Sequence, residues 1–237
     1  MDSIAIPPKF IFKPTLINYL KTLQHAGFVK SFADSLIVAV ASVILCILIG
    51  APFGYVLARY TFPGSSDIGF FILSTKMLPA IVIVIPFIRI FSFLQLIDTH
   101  LGLILCHIIV NLALVVWMSR GYFEGIPKEI EEAAWIDGCS PLKTFYMIVF
   151  PLAAPGIVAT AVLAFLFSWN ELFFGFTLTS FKVKTLPVYM TSEFVDYLAV
   201  NWGGLSATGI IAIVPALIFM LIVQKHIVRG LTFGAIK

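Results

Sequence analysis

Residues 124–151 read EGIPKEIEEAAWIDGCSPLKTFYMIVFP and form a polar segment between long apolar ones. This segment, called the acidic loop below, holds five of the chain's 12 acidic residues, namely Glu124, Glu129, Glu131, Glu132 and Asp137. A carboxylate within the hydrocarbon of a bilayer costs several kcal/mol. The acidic loop is therefore expected to lie outside the hydrocarbon, on one side of a membrane.

The local sequence of the acidic loop predicts two short helices. Gly138 suits the position just after a helix, where the backbone needs a positive φ. Ser140 suits the N-cap of a second helix, with Pro141 at its first position. That second helix is expected to run to about Val149 and to stop before Pro151.

The first of these helices carries small side chains at Ala133 and Ala134. The smooth surface that they leave suits docking against another protein. The same pattern also suits an ordinary cytoplasmic loop folded on its own membrane domain, and the residues alone leave both interpretations open.

The composition is that of a membrane protein. Of 237 residues, 60% are hydrophobic and 11% are charged, with a mean hydropathy of +1.06, which no soluble domain requires. The 15 Lys and Arg residues are scattered, so no basic nucleic-acid face is indicated. Cys46, Cys106 and Cys139 lie too far apart to indicate a disulfide framework or a metal site. Residues 1–30 contain no apolar segment typical of a cleavable signal peptide.

The apolar segments predict an all-α polytopic membrane protein with five transmembrane helices. Their approximate bounds are 32–58, 68–94, 101–118, 152–179 and 205–223. Residues 1–31 are expected to form a segment at the opposite membrane surface from the acidic loop, with a short amphipathic helix over 15–24, and residues 181–204 a polar loop on that same side. Seven basic residues on one side against six on the other do not orient the chain.

The first two spans contain residues that predict how they pack. Gly50 and Gly54 form a small-residue face that another helix can approach closely. Two prolines in the second span predict a bent or broken helix. Lys76 and Arg89 in the same span either extend toward the membrane surface or line a polar path, and both interpretations stay open.

Polar residues also occur within the third and fourth spans. His107 and Asn111 share one face of the third helix, which suits hydrogen bonds between helices or the wall of a cavity. Trp169, Asn170 and Glu171 place an indole, an amide and a carboxylate together in the fourth span. This combination indicates either a transport site or gate, or a helix end that has reached the interface.

Part of the acidic loop resembles the EAA loop of ABC importer permeases. The resemblance rests on Glu132-Ala133-Ala134, then Gly138, Ile148 and Pro151 at the family's spacing, with Phe150 where the family usually has Leu. Further strings are similar to the carbohydrate-uptake, MalG-like branch of that family: Asn18-Tyr19, Asn170-Glu171, TLPV at residues 185–188 and VRGLTFGAIK at residues 228–237.

The resemblance implies a MetI-like permease fold in the bacterial inner membrane. It implies a transmembrane permease domain over 32–237, with a cytoplasmic coupling loop at 119–151 and an external loop at 181–204, after an external segment at 1–31. The residues implied to couple to an ATPase are Glu132, Ala133, Ala134, Asp137 and Gly138. Our candidates for the substrate path are Asn111, Trp169, Asn170 and Glu171. The family has six spans, so one further span is expected to precede residue 1.

The resemblance also implies the partners of the chain. They are a second, MalF-like permease subunit, two ATPase subunits and an extracytoplasmic solute-binding protein. Because the sequence contains no G-x-x-x-x-G-K-[ST] motif, ATP and Mg²⁺ are expected on the ATPase subunits. The chain itself is expected to hold no cofactor and to be no enzyme. It would form half of the path for a sugar or related polyol.

Three alternatives remain at this point. A gradient-driven secondary transporter would use Lys76, Arg89 and Glu171 as ion sites, but the internal repeats typical of that class are not evident. An intramembrane enzyme is disfavoured because the four histidines are dispersed and no H-E-x-x-H or G-x-S-x-G motif occurs. The third alternative is an ABC permease for a solute other than a sugar.

Overall fold

A computed structural model describes residues 15–195 and 200–232, with side chains described as far as residue 221. In this part of the chain the secondary structure is helical, apart from an isolated bridge between Val195 and Val200. The helices are α1 (Ile17–Gln24), α2 (Ala26–Arg59), α3 (Ser65–Ser74), α4 (Ala80–Phe93), α5 (His100–Glu124), α6 (Glu129–Ile136), α7 (Pro141–Thr144), α8 (Phe150–Trp169), α9 (Phe173–Leu178), α10 (Leu186–Phe194) and α11 (Trp202–Thr232). The predicted all-α class is confirmed.

Within the described residues, four helical segments are long and apolar enough to cross a membrane. They are α2, α5, the continuous segment 141–169 and α11. Helices α3 and α4 meet at a bend of 96°, and they form a fifth span if the bent pair is counted as one. The bend follows a 3₁₀ turn over Thr75–Met77, and Pro79 precedes α4 with an extended backbone. The predicted broken second span is confirmed.

Helix α2 packs closely against α5 through its two small residues. A Cβ atom at Gly50 would lie 2.8 Å from Val115 Cγ1, and one at Gly54 would lie 2.8 Å from the carbonyl oxygen of Val116. Any side chain at either glycine would therefore push the helices apart. The predicted close helix approach is confirmed, and α5 is the partner helix.

The prediction that the second helix of the acidic loop stops before Pro151 is wrong. Helix α7 continues through a π-helical turn over Phe145–Val149 directly into α8. In this turn the Phe150 N–H donates to the carbonyl of Phe145, five residues back. Pro151 therefore lies inside a continuous helix, directly after the π-helical turn. Helix α7, the π-helical turn and α8 are consequently one continuous helix over residues 141–169.

The fourth predicted span, 152–179, is interrupted. Helix α8 ends at Trp169, and α9 begins at Phe173 after a short break. At the other end of the chain, α2 begins at Ala26, so the boundary drawn after residue 31 falls inside this helix. The carboxyl-terminal string at 228–237 extends past the described residues, as do the prolines near the amino terminus.

Candidate functional site

The acidic loop folds as two helices joined by a tight turn. Helix α6 carries three glutamates in its first turn, where negative charge is favourable at a helix N-terminus. Gly138 follows α6 with φ +85°, and the Ser140 hydroxyl accepts a hydrogen bond from the Lys143 N–H at 3.4 Å. The predicted positive φ at Gly138 and the predicted cap at Ser140 are both confirmed.

A buried ion pair fixes the acidic loop to the end of α2. The Glu131 side chain, 2% exposed, accepts hydrogen bonds from Arg59 Nε and, at 2.6 Å, from the Tyr55 hydroxyl. Arg59 also donates through Nη2 to the carbonyl of Ile126 at 2.9 Å. These contacts hold both ends of the segment leading into α6. Sequence reasoning missed this ion pair, although Arg59 directly follows the first predicted span, 32–58, and Glu131 lies within the acidic loop.

The five residues predicted to couple to an ATPase do not share one face. Glu132, Ala133, Asp137 and Gly138 are exposed. Ala134 is 5% exposed and faces inward, on the same side of α6 as Glu131. Ala134 is therefore not part of the free surface.

Apolar side chains accompany these exposed residues. Trp135, Ile136 and Leu142 are 44%, 87% and 68% exposed. Together with Glu132, Ala133, Asp137 and Gly138 they form what we call the outer face of the acidic loop. A hydrophobic surface with charged residues beside it is typical of a protein–protein contact. The sequence analysis had not selected the three apolar residues.

Polar residues meet inside the membrane domain where α8 ends. His107 Nδ1 lies 2.5 Å from the Ser168 hydroxyl, which is 3.2 Å from the Ser42 hydroxyl. His107 Nε2 is 3.6 Å from Glu171 Oε2. The Glu171 carboxylate also accepts the N–H of Phe174 at 3.0 Å and so caps α9. Glu171 therefore stabilises the break between α8 and α9.

The predicted path residues separate into two groups. Asn111 is 2% exposed and donates to the carbonyl of Ala164 at 3.5 Å, so it connects α5 to α8. Trp169 and Asn170 line a cavity of about 490 Å³ between α8, α10 and α11. Trp169 also donates to the carbonyl of Ala212 at 3.0 Å. The structure thus brings Trp169 and Asn170 together and places Asn111 away from that cavity.

The loop between α9 and α10, residues 179–185, lies at the other end of the molecule and is called the distal loop below. The Asp98 carboxylate accepts hydrogen bonds from four consecutive backbone N–H groups, those of residues 180–183, at 2.9–3.1 Å. Asp34 accepts the Lys184 N–H at 3.0 Å and lies 2.8 Å from His100 Nε2. Ser35 accepts the Leu186 N–H at 2.6 Å.

These contacts fix the distal loop to the starts of α2 and α5. Burial alone would raise the pKa of Asp98, but the four N–H groups outweigh it and lower the pKa from 3.8 to about 2. Within the described ranges, no group of three or more His, Cys, Asp or Glu side chains is arranged to hold a metal ion.

Comparison with known proteins identifies relatives of the whole chain. Residues 50–233 match the family described as "Binding-protein-dependent transport system inner membrane component". The chain is 34% identical to the trehalose transport system permease protein SugB of Mycobacterium tuberculosis, over 94% of the chain and 82% of SugB. It is 32% identical to the trehalose/maltose transport system permease protein MalG of Thermococcus litoralis, over 99% of the chain and 88% of MalG.

A solved structure has a similar fold. It is a bacterial ABC transporter involved in the import of the acidic polysaccharide alginate. The similarity has a TM-score of 0.73 at 27% identity and covers 88% of the chain and 78% of the matching subunit.

Proposed function

The chain belongs to the family of inner membrane components of binding-protein-dependent transport systems, and from this premise we propose how it works. It is a multi-pass permease subunit of an ABC importer with the MetI-like fold, and its relatives indicate a sugar as the solute. The resemblance found in the sequence is thereby confirmed, and the gradient-driven alternative is not favoured. As a permease component it is a transport subunit rather than an enzyme.

The proposal concerns the acidic loop: its outer face docks on an ATPase subunit. The observation that carries this is the pairing of a free outer face with a buried inner one. Ile136 is 87% exposed, while Glu131 on the opposite side is 2% exposed and bound to Arg59. The buried ion pair ties α6 to α2, and α7 continues directly into α8. A force on the outer face would therefore move these transmembrane helices rather than the acidic loop alone.

The remaining partners follow from the family. We propose that this chain pairs with a second, MalF-like permease subunit, and that two ATPase subunits bind ATP and Mg²⁺. A solute-binding protein would deliver the sugar at the side of the distal loop, where Phe181 is 92% exposed. The acidic loop would then be cytoplasmic.

The proposed substrate path includes Trp169 and Asn170, which line one cavity. Glu171 contributes by capping α9 and meeting His107, so it holds the break beside that path. Asn111 acts as a packing residue between α5 and α8.

The test compares two glycines that have the same positive backbone φ. Gly138 has φ +85° and Gly64 has φ +86°, and a Cβ at either would meet nothing within 4 Å. Gly138→Leu and Gly64→Leu should therefore destabilise the fold equally, by about 1–2 kcal/mol each. Only Gly138→Leu places a side chain on the outer face.

We expect Gly138→Leu to abolish ATP-driven uptake in proteoliposomes containing the complete importer, while Gly64→Leu retains it. Thermal unfolding of both variants measures the shared strain. Equal uptake by the two variants at equal stability would refute docking at this face.

A further inference from the structure

Lys76 lies in the middle of the membrane domain, at the break between α3 and α4. It belongs to the 3₁₀ turn that precedes the 96° bend. Lys76 lines a cavity together with Ile109 and Val110 of α5, so it lies at the level of these two residues. Ile109 is nine residues from His100, the first residue of α5, which is about 14 Å along the helix. Lys76 is thus about halfway across a hydrocarbon core of ~30 Å.

The Lys76 ammonium has an aromatic neighbour. Its Nζ lies 5.3 Å from the centroid of the Phe167 ring of α8. Among the described residues, the ion pairs do not include Lys76. A lysine at this depth facing lipid would cost about 2.5–3.5 kcal/mol. An exposed cation at this position therefore needs a polar or anionic partner from beyond the described residues.

The surroundings of Lys76 have the shape of a small binding site. The adjoining cavity has a volume of about 270 Å³ and, apart from Lys76 and Thr75, its lining is apolar. On α8, Leu163 and Phe167 are four residues apart and both exposed, so this face of α8 presents an aromatic ring beside the ammonium.

We propose that Lys76 and Phe167 form a transient binding site for an anionic sugar, such as a uronic acid or a sugar phosphate, in the translocation path. The Phe167 ring packs against the apolar face of the sugar ring, and the Lys76 ammonium pairs with its carboxylate or phosphate. This inference rests on the proposed function, because it assigns a charge class to the solute of that importer.

The complete importer complex in nanodiscs, without its binding protein, is titrated with glucuronic acid, glucose 6-phosphate and glucose by calorimetry. We expect both anionic probes to bind roughly tenfold more tightly than glucose, as one charge-assisted contact supplies that difference. Lys76→Met should remove the preference, and Lys76→Arg should retain it. Phe167→Leu should weaken all three probes together.

Arg89→Met is the matched control. Arg89 is an exposed cation on α4, four residues from the end of that helix, where it can extend to the surface. This variant should retain the preference. An absent preference in the wild type, no binding of any probe, or an unchanged preference in Lys76→Met would overturn the inference. Loss of the second permease subunit from purified Lys76→Met would overturn it too, by assigning Lys76 to that contact.

Failure of this inference is distinguishable from failure of the proposed function. If ATPase subunits co-purify and Gly138→Leu uncouples uptake while Lys76→Met keeps the preference, the importer assignment stands and the anionic site falls. If no ATPase subunit is recovered with the chain, the proposed function fails whatever the probes do.

Discussion

The acidic loop and the distal loop are both held by carboxylates, but the groups that hold them differ in kind. In the acidic loop, Glu131 meets a side-chain cation, Arg59, on another helix. At the distal loop, Asp98 meets four backbone N–H groups. A side-chain pair depends on two particular residues, whereas nearly every residue type supplies a backbone N–H.

This difference indicates which part of the structure is held in place at each end of the molecule. The Arg59–Glu131 pair sets the position of one helix, α6, relative to another, α2. The Asp98 contacts set the path of the distal loop and leave the side chains of Phe181 and Lys182 exposed. We infer that the first end is built to transmit displacement and the second to present a variable surface.

The largest effect is expected at the acidic loop. Glu131→Ala leaves Arg59 buried without its partner, and should lower the free energy of unfolding by about 3–5 kcal/mol. Denaturant unfolding of the purified complex measures it. Glu124→Ala is the control, because Glu124 forms an exposed i,i+4 pair with Arg120 at 2.7 Å, and such pairs contribute about 0.3–0.5 kcal/mol. Similar losses in both variants would show that the buried Arg59–Glu131 pair holds the acidic loop no more strongly than an exposed surface pair does.

The next effect is expected at Asp98. Asp98→Ala removes the acceptor of four N–H groups and should destabilise the distal loop by about 1.5–3 kcal/mol, the scale of a hydrogen bond to a charged group. Hydrogen exchange of amides 180–183 should accelerate, while that of α6 should not change. Unchanged protection of these amides would show that Asp98 does not hold the loop.

Acidification should reproduce part of that effect without a mutation. The pKa of Asp98 in the folded protein, about 2, lies below its ordinary value of 3.8. The contribution of Asp98 to the stability of the folded protein is therefore fully present above pH 3.8, and it is lost as the pH falls through about 2. Pepsin cleavage within residues 179–185 should increase between about pH 4 and pH 2 in the wild type relative to Asp98→Ala. A constant ratio would contradict the prediction.

The smallest effect is expected at Ser35. Ser35→Ala removes the acceptor for the buried Leu186 N–H at 2.6 Å, a loss of about 1 kcal/mol. The change should appear in the exchange rate of that single amide and leave amides 180–183 protected. Loss of protection across the whole loop would mean that the distal loop depends on one side chain, as the acidic loop does.

The sequence predicted those features that depend on local chemistry. The positive φ at Gly138, the cap at Ser140 and the broken second span each follow from one residue and its neighbours. The close approach at Gly50 and Gly54 was also predictable, because small residues at that spacing favour helix contact.

The features that were missed depend on distance along the chain or on the backbone. Arg59 and Glu131 are 72 residues apart, and no local pattern pairs them. The partners of Asp98 are N–H groups, which carry no side-chain signal. Asn111 and Asn170 are both amides in apolar spans. Only the packing of the helices shows that Asn111 is buried and that Asn170 lines a cavity.

The π-helical turn over Phe145–Val149 determines how the acidic loop would respond to a change in chain length. A π turn holds one residue more than the corresponding α turn, and each α-helical residue corresponds to a rotation of about 100°. Deleting one residue within 145–149 would let the turn relax to an α-helix without disturbing α8. Because a π turn rotates by about as much as an α turn that holds one residue fewer, the outer face would keep nearly the same direction about the α8 axis. Loss of one residue from this turn is therefore a change that related chains could carry while keeping both the membrane domain and the direction of the acidic loop.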